Sequence, residues 1–202
     1  MSRAPNPLTA TLVLSVAAIA IYAGVHLYSG NTDTDAGAPG TAPASTEVRT
    51  LPEFSMPDLA GTETSILNWP DQPLIINFWA TWCAPCLREI PMLMEYQQQH
   101  PDVQIVGIAV DSEEAVRDFA ADMAFNYPVL VGPGSFEAAA AFGVEYVALP
   151  LTVFVAADRR LLATHMGEVH PSQLENFTAA NAGLAAGTLD FAAAQSLLAV
   201  PQ

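Results

Sequence analysis

Two cysteines set between a strand-like run and a helix-like run constrain this chain more than any other feature. They are its only cysteines, and they stand three apart in Trp82-Cys83-Ala84-Pro85-Cys86. With no third cysteine, each can form an intramolecular disulfide only with the other. Just upstream, Leu74-Ile75-Ile76-Asn77-Phe78-Trp79 reads as a short central strand buried on both faces. Downstream, Leu87, Ile90, Leu93 and Met94 recur on one helical face until His100-Pro101 ends the pattern. A disulfide closing so small a loop adds little stability through loop entropy. A purely structural role therefore accounts poorly for the pair.

The junction itself supplies chemistry. The first-turn N–H groups of a helix lack partners and carry partial positive charge. A thiolate is stabilised there, so Cys83 is expected to be the attacking sulfur. Cys86, one turn on and shielded by the helix, is expected to resolve the mixed disulfide and release the partner. Pro85 is tolerated because the first turn needs no amide donor at that position.

Beyond the helix the pattern keeps alternating. Val103 to Val110 is a second β-rich run, and Ser112 is placed to cap a helix with Val116, Phe119, Ala120 and Met123 on its apolar face. A short strand near Val129, a helix around Phe136 to Phe142 and two strands at Leu151 to Ala156 and Leu161 to His165 come next. Ser172 opens a further helix. The expected class is α/β, a mixed sheet flanked by helices. From Asn181 onward the chain is Ala-rich and is expected to form a loose terminal helix.

At the other end, Leu8 to Tyr28 contains no formal charge over 21 residues. A helix of that length reaches roughly 30 Å, the thickness of a bilayer core. A cleaved signal peptide and a retained anchor both fit an apolar N-terminal segment. Length and flanks favour the anchor. Arg3 precedes the segment while Asp33 and Asp35 come after it, which places the N-terminus in the cytoplasm and the rest outside, in a periplasm where there is one. Residues 29–48 read as a flexible tether with a span on the order of 25 Å. The expected layout is thus a cytoplasmic stub at 1–7, a transmembrane anchor at 8–28, the tether, a folded domain at 49–181 and an extension at 182–202.

Charge excludes one class of partner. All 21 acidic residues lie beyond Tyr28, against five of the six arginines, and there is no lysine. Nucleic-acid binding runs on neutralising phosphates with Lys and Arg, so that function is excluded.

The stretch Asn77-Phe78-Trp79-Ala80-Thr81-Trp82-Cys83-Ala84-Pro85-Cys86, continuing through Glu89 and Pro91, resembles the TlpA/ResA group of anchored, extracytoplasmic thiol:disulfide oxidoreductases with a thioredoxin fold. Phe54-Ser55-Met56-Pro57-Asp58-Leu59 is similar to the group's opening strand, and Leu149-Pro150-Leu151-Thr152 to the stretch that carries the fold's cis-proline. The resemblance covers roughly Leu51 to Ala180. It implies a cis Pro150 lying against the disulfide and an extended substrate segment pairing beside it. It places Asn77 where thioredoxins proper hold a buried acid, and it assigns Glu89 to the acidic position of the active-site cavity, where the glutamate could serve Cys86 as proton acceptor. Without the resemblance, Glu89 would read as a solvated helix residue and Pro150 as a trans turn proline. Trp82 borders the site or simply packs, and Pro91 kinks the helix.

What the resemblance implies is reduction of disulfides in exported proteins, for example the haem-binding cysteines of apocytochrome c or a copper-site protein. The redox-active disulfide is then the only prosthetic device, reset by a membrane thiol-redox carrier. An oxidant that introduces disulfides is the alternative, because potentials in this fold span about −270 to about −120 mV. Copper or zinc handling is a third class, but His100, His165 and His170 show no ligand spacing to the cysteines. A peroxidase fits less well: those enzymes carry a threonine three residues before the attacking cysteine, and here that residue is Ala80.

Overall fold

The computed structural model describes residues 49–144 and 148–199. The segment at 8–28 and the tether at 29–48 lie outside the described residues, and so do the expectations attached to them. Among the described residues no helix is long and apolar enough to cross a membrane.

A five-stranded sheet in the order β5-β4-β3-β6-β7 organises the domain. Its strands are β3 (Leu74–Trp79), β4 (Gln104–Ala109), β5 (Val129–Val131), β6 (Leu151–Val155) and β7 (Leu161–Met166). A small hairpin of β1 (Ser55–Pro57) and β2 (Glu63–Ser65) precedes it. β3 pairs in parallel with β4 and antiparallel with β6, so it is covered on both edges as well as both faces. All six of its residues are buried, as its apolar pattern requires.

Alternation along β3 sends Leu74, Ile76 and Phe78 to one core and Ile75 and Trp79 to the other. The first core packs under α3 (Ser135–Ala141), with Phe142 set edge-on to Phe54 and Phe78. The second core lies against α1 (Ala84–Gln99), α2 (Glu113–Met123) and α4 (Pro171–Ala185). Asn77 shares the parity of Ile75 and Trp79, so its polar side chain enters the core beneath α1. Gly107 faces it across the β3–β4 ladder and lets two rings close on the strand: a Cβ there would stand 3.1 Å from Trp79 Nε1 and 3.3 Å from Tyr127 Cε2.

The expected α/β class holds, and Ser112 caps α2 by accepting the Ala115 N–H at 3.3 Å. The C-terminal end departs from expectation. The helix expected to open at Ser172 starts at Pro171 with His170 as its cap, and the His170 N–H donates to Gln173 Oε1 at 2.8 Å. It also runs past 181 to Ala185. Gly187, at φ +66°, then ends it in a Schellman turn, with the Thr188 N–H bonded to the Gly183 carbonyl and the Gly187 N–H to that of Leu184. The terminal helix beyond this turn is packed, not loose. α5 (Phe191–Leu198) folds back on α4 and β7, burying Ala194 and placing Phe191 under the Arg160 guanidinium at 4.0 Å. Gln195 reaches the Leu161 carbonyl at 3.3 Å, and Asn176 reaches that of Leu197 at 3.0 Å. Alanine-rich helices bury little area per residue, which is why composition alone suggested looseness; the small side chains instead allow close approach.

Candidate active site

At the end of β3 the chain turns through Ala80, Thr81 and Trp82, and Cys83 becomes the N-cap of α1. Pro85 falls in the first turn of the helix, where no donor is needed. Cys83 and Cys86 are joined, with S–S 2.05 Å and Cα–Cα 5.3 Å. Cys83 Sγ also receives the Cys86 N–H at 3.3 Å, one of the orphan donors of the helix start. Of the pair only Cys83 retains any exposure, 5 % against 0 % for Cys86. An incoming thiol or disulfide therefore meets Cys83. Trp82 does not pack: it is 69 % exposed next to the disulfide.

The Leu149–Pro150 peptide is cis. Phe78 pairs with Leu151, so Pro150 stands at the same end of the sheet as the cysteines. The Pro150 carbonyl accepts the Gly167 N–H at 2.8 Å, tying the start of β6 to the end of β7.

Glu89 lies one turn past Cys86 and faces inward. It is 1 % exposed. Its Oε1 accepts from Asn77 Nδ2 at 2.8 Å, and its Oε2 accepts from the Val169 N–H at 2.7 Å. Asn77 Nδ2 also donates to Thr152 Oγ1 at 3.0 Å, a contact that their pairing across β3 and β6 makes possible. Burial pushes the Glu89 carboxyl up to about 7; the Val169 and Asn77 hydrogen bonds pull against it, and the Glu168 charge adds to the rise. A carboxyl balanced near neutrality one helical turn from Cys86 has the proton affinity to take the proton of a thiol as it attacks and return it to a leaving thiolate. The loop carrying Val169 is also held from outside, where Arg88 and Glu168 pair at 2.5 Å.

Asn77 Oδ1, Trp79 Nε1 and Tyr127 OH are buried without a protein partner. The Tyr127 phenol is pushed well above its ordinary range, by burial first and then by the Glu89 charge. The three histidines among the described residues do different work. His100 stacks on Tyr96 at 4.2 Å, His165 Nε2 lies 3.2 Å from the Glu168 carbonyl oxygen, and His170 caps α4. Among the described residues no three His, Cys, Asp or Glu side chains gather as a metal site would require.

The structure thus brings Asn77, Cys86 and Glu89 together beneath α1 and sets Cys83, Trp82 and Pro150 around the mouth. Sequence reasoning missed Thr152, the Val169 N–H and Tyr127. Thr152 could have been found from strand parity once β6 was paired with β3. The Val169 amide carries no side-chain signal at all.

Comparison with known proteins places this geometry. The AhpC/TSA family profile matches residues 49–163. The chain belongs to the AhpC/TSA family. The thiol-disulfide oxidoreductase ResA of Bacillus thuringiensis subsp. konkukian is 29 % identical to it over 129 residues, spanning 62 % of this chain and 73 % of that protein. The thioredoxin-like protein YneN of Bacillus subtilis is 26 % identical over 159 residues, 76 % of this chain and 87 % of its own. Among solved structures, a DsbF homologue from Corynebacterium diphtheriae superposes with a TM-score of 0.59 at 25 % identity, covering 70 % of this chain and 95 % of that one. A secreted thiol-disulfide isomerase from Corynebacterium glutamicum, at 23 % identity and TM-score 0.55, covers 78 % and 95 % and attests the fold alone. The domain is a thioredoxin-like protein-disulfide oxidoreductase, similar to the ResA and YneN proteins.

Proposed function

We propose that this protein is a membrane-anchored reductant of disulfides in exported proteins, working outside the cytoplasm by dithiol exchange at Cys83 and Cys86. The observation that carries the reading is the buried Glu89 next to Cys86, with a proton affinity matched to thiol chemistry at neutral pH. In the first step the Cys83 thiolate attacks a substrate disulfide, forms a mixed disulfide and expels one substrate thiolate. Cys86 then gives its proton to Glu89 and attacks Cys83, releasing the second substrate thiolate and leaving the Cys83–Cys86 bond. Two electrons have passed to the substrate, and the oxidised pair must be re-reduced by a membrane thiol carrier, because the proposed anchor places it beyond the reach of cytosolic reductants.

Trp82 offers an exposed aromatic surface beside the disulfide, and the backbone at the cis Pro150 offers a place for an extended segment. Substrates of the kind found in cytochrome c maturation or copper-site assembly, with closely spaced cysteines in an unfolded stretch, suit such a mouth. The apolar run at 8–28 supports the anchor, and Arg3 ahead of it, with no cation after it until Arg49, supports an outward domain.

Two measurements test this reading. In membranes carrying the Cys86→Ser chain, covalent partners recovered by a reductant-sensitive gel shift are expected to be exported proteins. Recovery of cytosolic proteins alone would sink it. Glu89→Gln is expected to slow resolution of the mixed disulfide on the order of 10²-fold, and an unchanged rate would remove Glu89 from the mechanism.

A further inference from the structure

One carboxylate outside the site just described holds the approach to Cys83. Asp111 comes after β4, immediately before the Ser112 cap of α2. Its Oδ2 accepts both the Thr81 N–H, at 3.0 Å, and the Thr81 hydroxyl, at 2.5 Å. Its Oδ1 accepts the Ser112 N–H at 2.7 Å. Thr81 lies midway between the end of β3 at Trp79 and the sulfur of Cys83. The same span is tied by the Val110 N–H to the Trp79 carbonyl at 2.8 Å and by the Cys83 N–H to the Ala80 carbonyl at 3.2 Å. Thr81 is fastened to Asp111, and the next residue, Trp82, is exposed.

The charge on Asp111 matters as much as its bonds. Burial raises its carboxyl, but hydrogen bonds from Thr81 and Ser112 outweigh burial and hold it below the usual range. It is therefore an anion wherever thiols exchange. The ion pairs among the described residues are Arg88–Glu168, Arg117–Glu113 and Arg160–Asp158, so no arginine neutralises it. The other charged groups at this end are Glu113 and Glu114 in the first turn of α2, with Arg117 paired to Glu113 one turn on, Glu137 in the first turn of α3, the paired Arg88 and Glu168, and the buried Glu89. The Cα atoms of Thr81 and Cys83 are at most about 7 Å apart, so a carboxylate bonded to Thr81 stands on the order of 10 Å from the Cys83 sulfur, a distance over which a charge in a partly buried site still acts.

We propose that Asp111 is a positioning residue for the exchange reaction, which fastens the Thr81–Cys83 segment and sets a fixed negative charge against the Cys83 thiolate. The disulfide carries no charge, so the carboxylate acts on the reduced state alone. Destabilising that state makes the dithiol a better electron donor. The start of α1 favours the thiolate and Asp111 opposes it, and the poise of the pair is set between them. This rests on the exchange reading above and gives it a direction.

The test uses the purified full-length chain, with iodoacetamide alkylation of Cys83 tracked against pH and the dithiol–disulfide equilibrium measured in glutathione buffers. Asp111→Asn keeps an acceptor for Thr81 and removes the charge. It is expected to lower the pH midpoint of alkylation by about half to one unit and, at pH values above that midpoint, to shift the equilibrium about three- to tenfold toward the dithiol. Thr81→Val keeps the charge and removes one bond; its midpoint is expected to stay in place or rise while its melting temperature falls. Glu113→Gln, a neighbouring carboxylate without the Thr81 bonds, is expected to move the midpoint less than Asp111→Asn. An Asp111→Asn midpoint and equilibrium equal to the parent's would overturn the proposal, and so would a Thr81→Val shift as large and in the same direction. Neither readout needs a protein substrate. A chain that reduces no exported protein but shows the Asp111→Asn shift would therefore defeat the proposed function and leave this inference standing.

Discussion

Glu89 carries a cost that the fold has to absorb. Its carboxyl titrates at about 7 in the domain against 4.5 when free, because burial outweighs the hydrogen bonds from Val169 and Asn77. A folded value raised above the unfolded one gives stability that is complete below the unfolded value and is lost as pH rises through the folded one. Between pH 4.5 and 7 the oxidised domain is therefore expected to lose about 3 kcal/mol on account of this group. Denaturant titrations of parent and Glu89→Gln across that range should diverge by that order, the glutamine variant gaining as pH rises. Parallel curves would show that Glu89 titrates elsewhere. At this scale the sequence told half the story. The position of Glu89 one turn past Cys86 was legible from helical spacing, and the role proposed for it comes from the resemblance. Its burial was not legible, because it depends on the Val169 N–H arriving from 80 residues away.

Among the elements, β3 was the most legible and the α4–α5 hairpin the least. A strand paired on both edges and packed on both faces can be written only in apolar residues, so Leu74–Trp79 announced itself, and the single polar residue in it marked the site. The hairpin depends on Gly183, which an Ala-rich stretch disguises. A Cβ at Gly183 would come within 2.4 Å of Leu189 Cδ1 and 2.6 Å of its Cγ, so the whole leucine would have to move. Helix propensity alone favours Gly183→Ala by about 1 kcal/mol, whereas overpacking costs about 1–3 kcal/mol. The contact is expected to win, leaving the variant less stable in urea unfolding. A more stable variant would mean that α5 does not pack as described. Asp111 belongs to this scale too: an acid before a serine cap reads as helix-start chemistry, and only the neighbouring strand shows that it serves the cysteine loop.

For the molecule as a whole, the sheet gathers its chemistry at one end. The parallel strands β3, β4 and β5 deliver the cysteine loop, Asp111 and the start of α3 there, while β6 contributes the cis Pro150 and β7 the loop that caps Glu89. Fold class was readable from the alternation of strand and helix patterns, but the convergence was not, since it depends on strand order and direction. The result is an asymmetric pair, with Cys83 at the mouth and Cys86 fully buried one helical turn before Glu89. That asymmetry is tested most directly by mapping the mixed disulfide formed with a disulfide-bonded peptide by mass spectrometry, in the Cys83→Ser and Cys86→Ser chains. Cys86→Ser is expected to accumulate one peptide adduct on Cys83, and Cys83→Ser to form none at a comparable rate. An adduct on Cys86 forming in the Cys83→Ser chain as fast as the parent reacts would contradict the account.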